Sequence, residues 1–180
     1  MNARAEGIAA FDSPDGRLAT ERAAPSPGCE PSPPGSIALM PDDLILYETR
    51  GPSAWITLNR PERLNAYDTA MRDALFEALG LAAGDPTVAV FVVRGNGRAF
   101  SSGADLRVIQ SADPMEDRHE YERVLGMTRL VWNYPKVTLA AVNGPALGLA
   151  ASFVGWCDLA VAEESATVGF PEVRAGIASA

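Results

Sequence analysis

The sequence predicts an α/β domain. Three observations carry this. Short apolar runs with strand character alternate along the chain with stretches whose apolar residues recur at helical spacing. One run, "VAVFVVRG" (Val88–Gly95), is continuously apolar, as expected of a strand covered on both faces. A second, "VTLAAV" (Val137–Val142), leads through "NGP" into a further apolar stretch, a strand–turn–helix pattern.

The elements follow in order. Residues 1–42 are rich in proline, serine and glycine and contain "APSPGCEPSPPGS", which offers little to bury, so a disordered tail is expected there and a folded core over 43–180. "LILYETR" and "SAWITLN" read as two strands around the turn signal Gly51-Pro52. In "DTAMRDALFEALGLAAG", Met71, Ala74, Leu75, Ala78 and Leu79 keep helical spacing and Asp68 stands where a cap belongs. The strand at 88–95 follows. A helix is expected over 115–132, with Tyr121, Val124, Leu125 and Thr128 on one side. After "VTLAAV", a helix is expected in "ALGLAASFVGW", then a short strand in "CDLAVAEE".

Charge and cysteine usage narrow the function. The 180 residues carry a formal net charge of −8, which argues against nucleic acid or an anionic membrane as a partner. The single histidine, His119, and the two distant cysteines, Cys29 and Cys157, build no zinc spacing, so no metal is expected. No secretory signal pattern opens the chain, and a reducing, cytoplasmic setting is the expectation. The stretch Val137–Cys157 has no charged residue and is about as long as a membrane span, but the turn inside it favours a buried strand and helix.

One apolar strand ends in "FSSGADL" (Phe100–Leu106). A strand that runs out into small residues exposes aimed backbone N–H groups, which suit a negative oxygen. Four blocks then stand in order: "ITLNRPERLNAY", "VVRGNGRAFSSGADL", "AAVNGPALGLAASFVGWCDLAVA" and "VGFPEVRAGI". With these blocks the chain, from about Leu44 to Gly176, resembles the crotonase superfamily, the enoyl-CoA hydratase/isomerase family.

The resemblance implies a spiral of ββα repeats, incomplete here at the C-terminus. It implies an acyl-CoA thioester as substrate, with coenzyme A entering as part of that substrate and no separate cofactor. By position, the backbone N–H of Ala104 and that of Leu149 form an oxyanion hole that stabilises a thioester enolate. Ser101, Ser102, Gly103 and Gly148 let the ligand approach the backbone, and the backbone from Arg98 to Phe100 with that of Ser102 seats the adenine end. Arg63, Arg98 and Arg107, with Arg60 beside them, are placed for the phosphates. The family's hydratases use two glutamates. Here the first position is Ser152, which cannot replace a carboxylate, and the second is Glu172. One carboxylate suits a 1,3-shift of a double bond better than hydration. Asp105 is expected to cap a helix and Asp158 to hydrogen-bond locally. The resemblance also implies a trimer or hexamer in the complete form. The alternative is a non-catalytic acyl-CoA-binding relative acting as a binding or assembly protein, supported by Ser152, by "GLAA" where family members often carry a glycine run, and by a chain stopping eight residues past Glu172.

Overall fold

Alternating burial along Ile45–Arg50 (β2) and Ser53–Leu58 (β3) shows how the first hairpin forms. Ile45, Tyr47, Ala54, Ile56 and Leu58 are buried in the core, with Leu46, Glu48 and Trp55 between them only half-buried, and the alternation breaks at Thr57, which is buried as well. The pairing runs antiparallel from Ile45↔Leu58 to Arg50↔Ser53, and Gly51, at φ 56°, makes the turn. In this computed structural model the described residues are 37–39, 44–105 and 114–175. All of them belong to one compact unit, Ser32–Ala180.

Ahead of the hairpin, Ile37–Leu39 (β1) pairs antiparallel with β2, Ile37 opposite Glu48 and Leu39 opposite Leu46. This corrects the expected boundary at residue 42. "IAL" is too short to show periodicity in a proline-rich context, yet the open edge of β2 gives its backbone partners.

Beyond β3 the sheet becomes parallel. Val90–Gly95 (β4), Val137–Val142 (β5) and Leu159–Ala162 (β7) continue it in the order β1-β2-β3-β4-β5-β7. Parallel neighbours need crossovers. These include the helices Thr69–Gly84 (α1), Pro114–Trp132 (α2) and Leu149–Trp156 (α3). A small second sheet joins Ala146–Leu147 (β6) to Val168–Gly169 (β8), and a 3-10 turn at Pro171–Ala175 follows.

Helix α1 begins as its sequence dictates. Asp68 is extended and accepts a hydrogen bond from Met71 N at 2.9 Å. Met71, Leu75, Ala78, Leu79 and Ala82 are fully buried and share one core with Ile56, Leu58, Phe91 and Val93. At its other end, Lys136 Nζ donates to the carbonyls of Ala82 and Asp85, satisfying acceptors that the helix leaves open.

Two expectations need correction here. Tyr121 of α2 is exposed, and among the described side chains of that helix the buried ones are Met127 and Val131, one turn apart. The helix expected from Ala146 starts only at Leu149, because Ala146 and Leu147 pair with Val168 and Gly169 first.

Candidate active site

The turns at the C-terminal ends of β3, β4 and β5 stack on one another through asparagines. Asn96 Nδ2 donates to Asn59 Oδ1 at 2.8 Å, and Asn143 Oδ1 accepts from Gly95 N at 2.9 Å. In parallel sheets this end is where ligands usually meet the protein.

The turn after β4 is held unusually completely. Ser101 N donates to Pro145 O, Ser102 N to Leu64 O, Gly103 N to Ser101 Oγ and Asp105 N to Tyr67 O, all between 2.8 and 3.1 Å. Ala104 N–H has no hydrogen-bond acceptor among the described residues. Tyr67 lies beside Ala104 as an isolated parallel bridge, which bonds Gly103 O and Asp105 N on one side and leaves Ala104 N–H facing the other.

The start of α3 lies close by. Leu149 is the first residue of α3, where N–H groups are free of intrahelical partners and the helix dipole is positive. Gly103, at φ 89°, packs so closely that a Cβ there would lie 3.2 Å from Leu149 N and 2.4 Å from Leu147 O. A side chain at 103 would therefore force the turn away from the helix start. The Leu149 side chain packs against the core and Ala150 is fully buried within it.

Glu172 comes to the same place from the 3-10 turn. A Cβ on Gly148, the residue before α3, would lie 3.3 Å from both of its carboxylate oxygens. The side chain is half-buried, and its Oε2 is enclosed without a hydrogen-bond partner among the described residues. Ser152, one turn into α3, is 8% exposed, and its N–H bonds Gly148 O at 3.1 Å. The structure thus gathers Gly103, Ala104, Gly148, Leu149, Ser152 and Glu172 around one helix start.

The other sequence-chosen residues are placed differently. Ser102 is half-buried in the turn, and the Phe100 side chain is fully buried in the core. Arg63 is exposed at the end of a 3-10 turn, Pro61–Arg63. Arg98 is exposed and lines a polar cleft of about 500 Å³ with Arg94, Asn96, Asn143 and Glu163. No residue of 101–105, nor Gly148 or Glu172, lines that cleft. Arg107, Cys29 and the His119 side chain fall outside the described residues.

Arg60 is committed elsewhere. Its guanidinium lies 2.7 Å from Asp68 and 3.9 Å from Asp105 and donates to Ala66 O. Asp105 therefore faces Arg60. Whether it also caps a helix start concerns residues outside those described. Asp158 is not local in its bonding. Its Oδ2 accepts from both N and Oγ1 of Thr138, twenty residues earlier on the neighbouring strand, at 2.8 Å each. The bond from the Thr138 backbone N–H is the main cause that holds its carboxyl below the usual range. Burial pushes the Cys157 thiol up to about 12. No group of three or more metal-binding side chains occurs among the described residues.

Ser101, expected to give a ligand room at the backbone, is instead fully buried, with its hydroxyl bonded inside the turn, and Asn65, which its sequence context does not mark as functional, is fully buried beside it. Neither can do acid–base work, and only an unusual backbone (φ 54°) marks Asn65, which is invisible in sequence.

With this geometry in hand, the chain can be set beside known proteins. Residues 49–180 match the family model for enoyl-CoA hydratase/isomerase. The chain is 38% identical over 122 residues to the 2,3-dehydroadipyl-CoA hydratase of Escherichia coli, a match covering 68% of this chain and 47% of that protein. A solved enoyl-CoA hydratase/isomerase from Xanthobacter autotrophicus Py2 superposes with a TM-score of 0.72 at 40% identity, covering 76% of this chain and 52% of that one. An enoyl-CoA hydratase from Thermoplasma volcanium gives 0.72 at 29% identity, covering 76% and 54%. The fold is of crotonase type, and the chain belongs to the enoyl-CoA hydratase/isomerase family. It spans about half the length of the curated relatives it matches.

Proposed function

We propose that the protein binds an acyl-CoA thioester with its carbonyl oxygen facing the N–H groups of Ala104 and Leu149, and that Glu172 moves the proton. The single observation that carries this is the Ala104 N–H. It is unbonded among the described residues, in a turn whose flanking amides are bonded; Gly103 beside it packs against Leu149 N at the start of α3, and Gly148, just before that start, borders the Glu172 carboxylate. Two donors in a partly dry site would stabilise the enolate oxygen; one such donor is typically worth about 3 kcal/mol in the transition state.

The reaction favoured is isomerisation of a 3-enoyl to a 2-enoyl thioester. Glu172 would take a proton from the α-carbon, charge would move onto the carbonyl oxygen, and the same carboxyl would return a proton at the γ-carbon. Ser152 supports this over hydration, because a hydroxyl at that position cannot share the activation of water. Arg63, Arg98 and Arg107 are the groups proposed for the phosphates, and the backbone from Arg98 to Phe100 together with Ser102 for the adenine end of coenzyme A. A cytoplasmic location and a trimer or hexamer in a complete form belong to the same reading.

The test supplies 3-enoyl-CoA and 2-enoyl-CoA in deuterated water and follows label at the α- and γ-carbons by mass spectrometry. Isomerisation faster than hydration, lost by at least a hundredfold in Glu172→Gln with binding retained, is the expected result. Fast hydration, or undiminished exchange in Glu172→Gln, would overturn it.

A further inference from the structure

We infer that Ser101 and Asn65 are positioning residues: a buried two-residue brace that aims the Ala104 N–H. The inference rests on the proposed oxyanion role of that N–H. Ser101 is fully buried, and its hydroxyl both donates and accepts within the turn. It donates to Asn65 O at 2.7 Å and accepts from Gly103 N at 3.1 Å. The second bond fixes the peptide one residue before Ala104. The next carbonyl, Gly103 O, accepts from Tyr67 N at 2.8 Å. The plane that carries Ala104 N is thus clamped at the residue before it and through its own oxygen.

Asn65 supplies the anchor for the hydroxyl. Its Nδ2 donates to the carbonyls of Asn96 and Ala99 at 2.9 Å and of Phe100 at 3.2 Å, and its Oδ1 accepts from Arg60 N at 2.9 Å. These bonds gather the loop after β3 and the loop after β4 onto one amide. A left-handed backbone at Asn65 (φ 54°) turns its carbonyl toward Ser101. Asparagine adopts that conformation more readily than most residues. The brace is out of reach of solvent and makes no contact that the chemistry itself would need. Its effect is directional, since an oxyanion hole works only where donors already point at the developing charge.

The test uses the whole 180-residue chain and butyryl-CoA carrying ¹³C at the carbonyl. The unmodified protein should move the bound carbonyl stretch to lower frequency. Ser101→Ala should lose most of that shift and bind butyryl-CoA about tenfold more weakly. It should bind coenzyme A itself within about twofold of the unmodified protein. A full carbonyl shift in Ser101→Ala would overturn the inference. So would a parallel loss of coenzyme A affinity, the mark of a merely structural role. An unmodified protein that binds butyryl-CoA with no shift would overturn instead the oxyanion reading on which the inference stands. Should Ser101→Ala fail to fold, amide exchange on the unmodified protein decides. Gly103 and Asp105 N–H are expected to exchange slowly and Ala104 N–H fast until butyryl-CoA is added. Equal protection of all three before ligand would overturn the brace.

Discussion

Gly148 is where backbone and chemistry meet most tightly. Its φ of 55° is a conformation that side chains rarely adopt, and the space a Cβ would fill is already bounded by both oxygens of Glu172. Gly148→Ala is therefore expected to cost roughly 1–2 kcal/mol in urea unfolding, from backbone strain. If Glu172 carries the proton as proposed, the substitution should also lower kcat by about tenfold or more, because the carboxylate must shift by a few tenths of an ångström. Steady-state kinetics beside denaturation measures both, and an unchanged kcat would separate Glu172 from the reaction. Cys157 gives the opposite kind of prediction. Its thiol, pushed up to about 12 by burial, is a structural group whose Sγ contacts Phe153 O. Alkylation by iodoacetamide at pH 8 should be slow in the folded protein and should speed up at least tenfold on unfolding. Fast reaction of the folded thiol would contradict the burial.

At the level of elements, the capped start of α1 was legible because Asp68 precedes a helical repeat of apolar residues. The start of α3 was not. "ALGLAASFVGW" is apolar throughout, so no period distinguishes a strand residue from a helical one, and only pairing with Val168 and Gly169 fixes the boundary. Asp68 also faces Arg60, which separates two contributions. Asp68→Ala should lower stability by about 1 kcal/mol, chiefly through the cap. Asp68→Asn keeps an acceptor for Met71 N and should lose less, as a part-exposed ion pair contributes little. Equal losses would mean that the charge, not the cap, matters. Asp158 joins β5 to β7 and titrates in a defined direction. Its folded value lies below the ordinary one of 3.8, so its contribution is fully present above that value and is lost as pH falls through the lower folded value. Asp158→Asn should therefore flatten the acid limb of a stability profile below about pH 4 and change its slope little above about pH 5. A profile with an unchanged acid limb would contradict the Thr138 pairing.

The whole molecule has an uneven surface. All four residues of β7 are exposed, and Leu159, Val161, Val168, Phe170 and Val173 are each more than 40% exposed near one end of the sheet. A parallel strand is normally covered on both faces, so this end carries apolar surface that water meets poorly. Leu159→Lys and Val161→Thr should raise the concentration at which the chain self-associates in light scattering, with stability changed by no more than about 0.5 kcal/mol. This exposure was not legible beforehand, because "CDLAVAEE" reads as a strand without saying which faces are covered. The order of strands and helices, by contrast, followed from their alternation, and the block around Glu172 singles that residue out although it stands over twenty residues after Gly148, which it borders in the fold. In the proposed site the thioester carbonyl, not only coenzyme A, is recognised. Calorimetric titration with butyryl-CoA and with the thioether analogue that lacks the carbonyl oxygen measures this recognition. Two added hydrogen bonds, each worth about 1 kcal/mol, predict that butyryl-CoA binds at least tenfold more tightly. Equal affinities, or no binding of either, would contradict the claim.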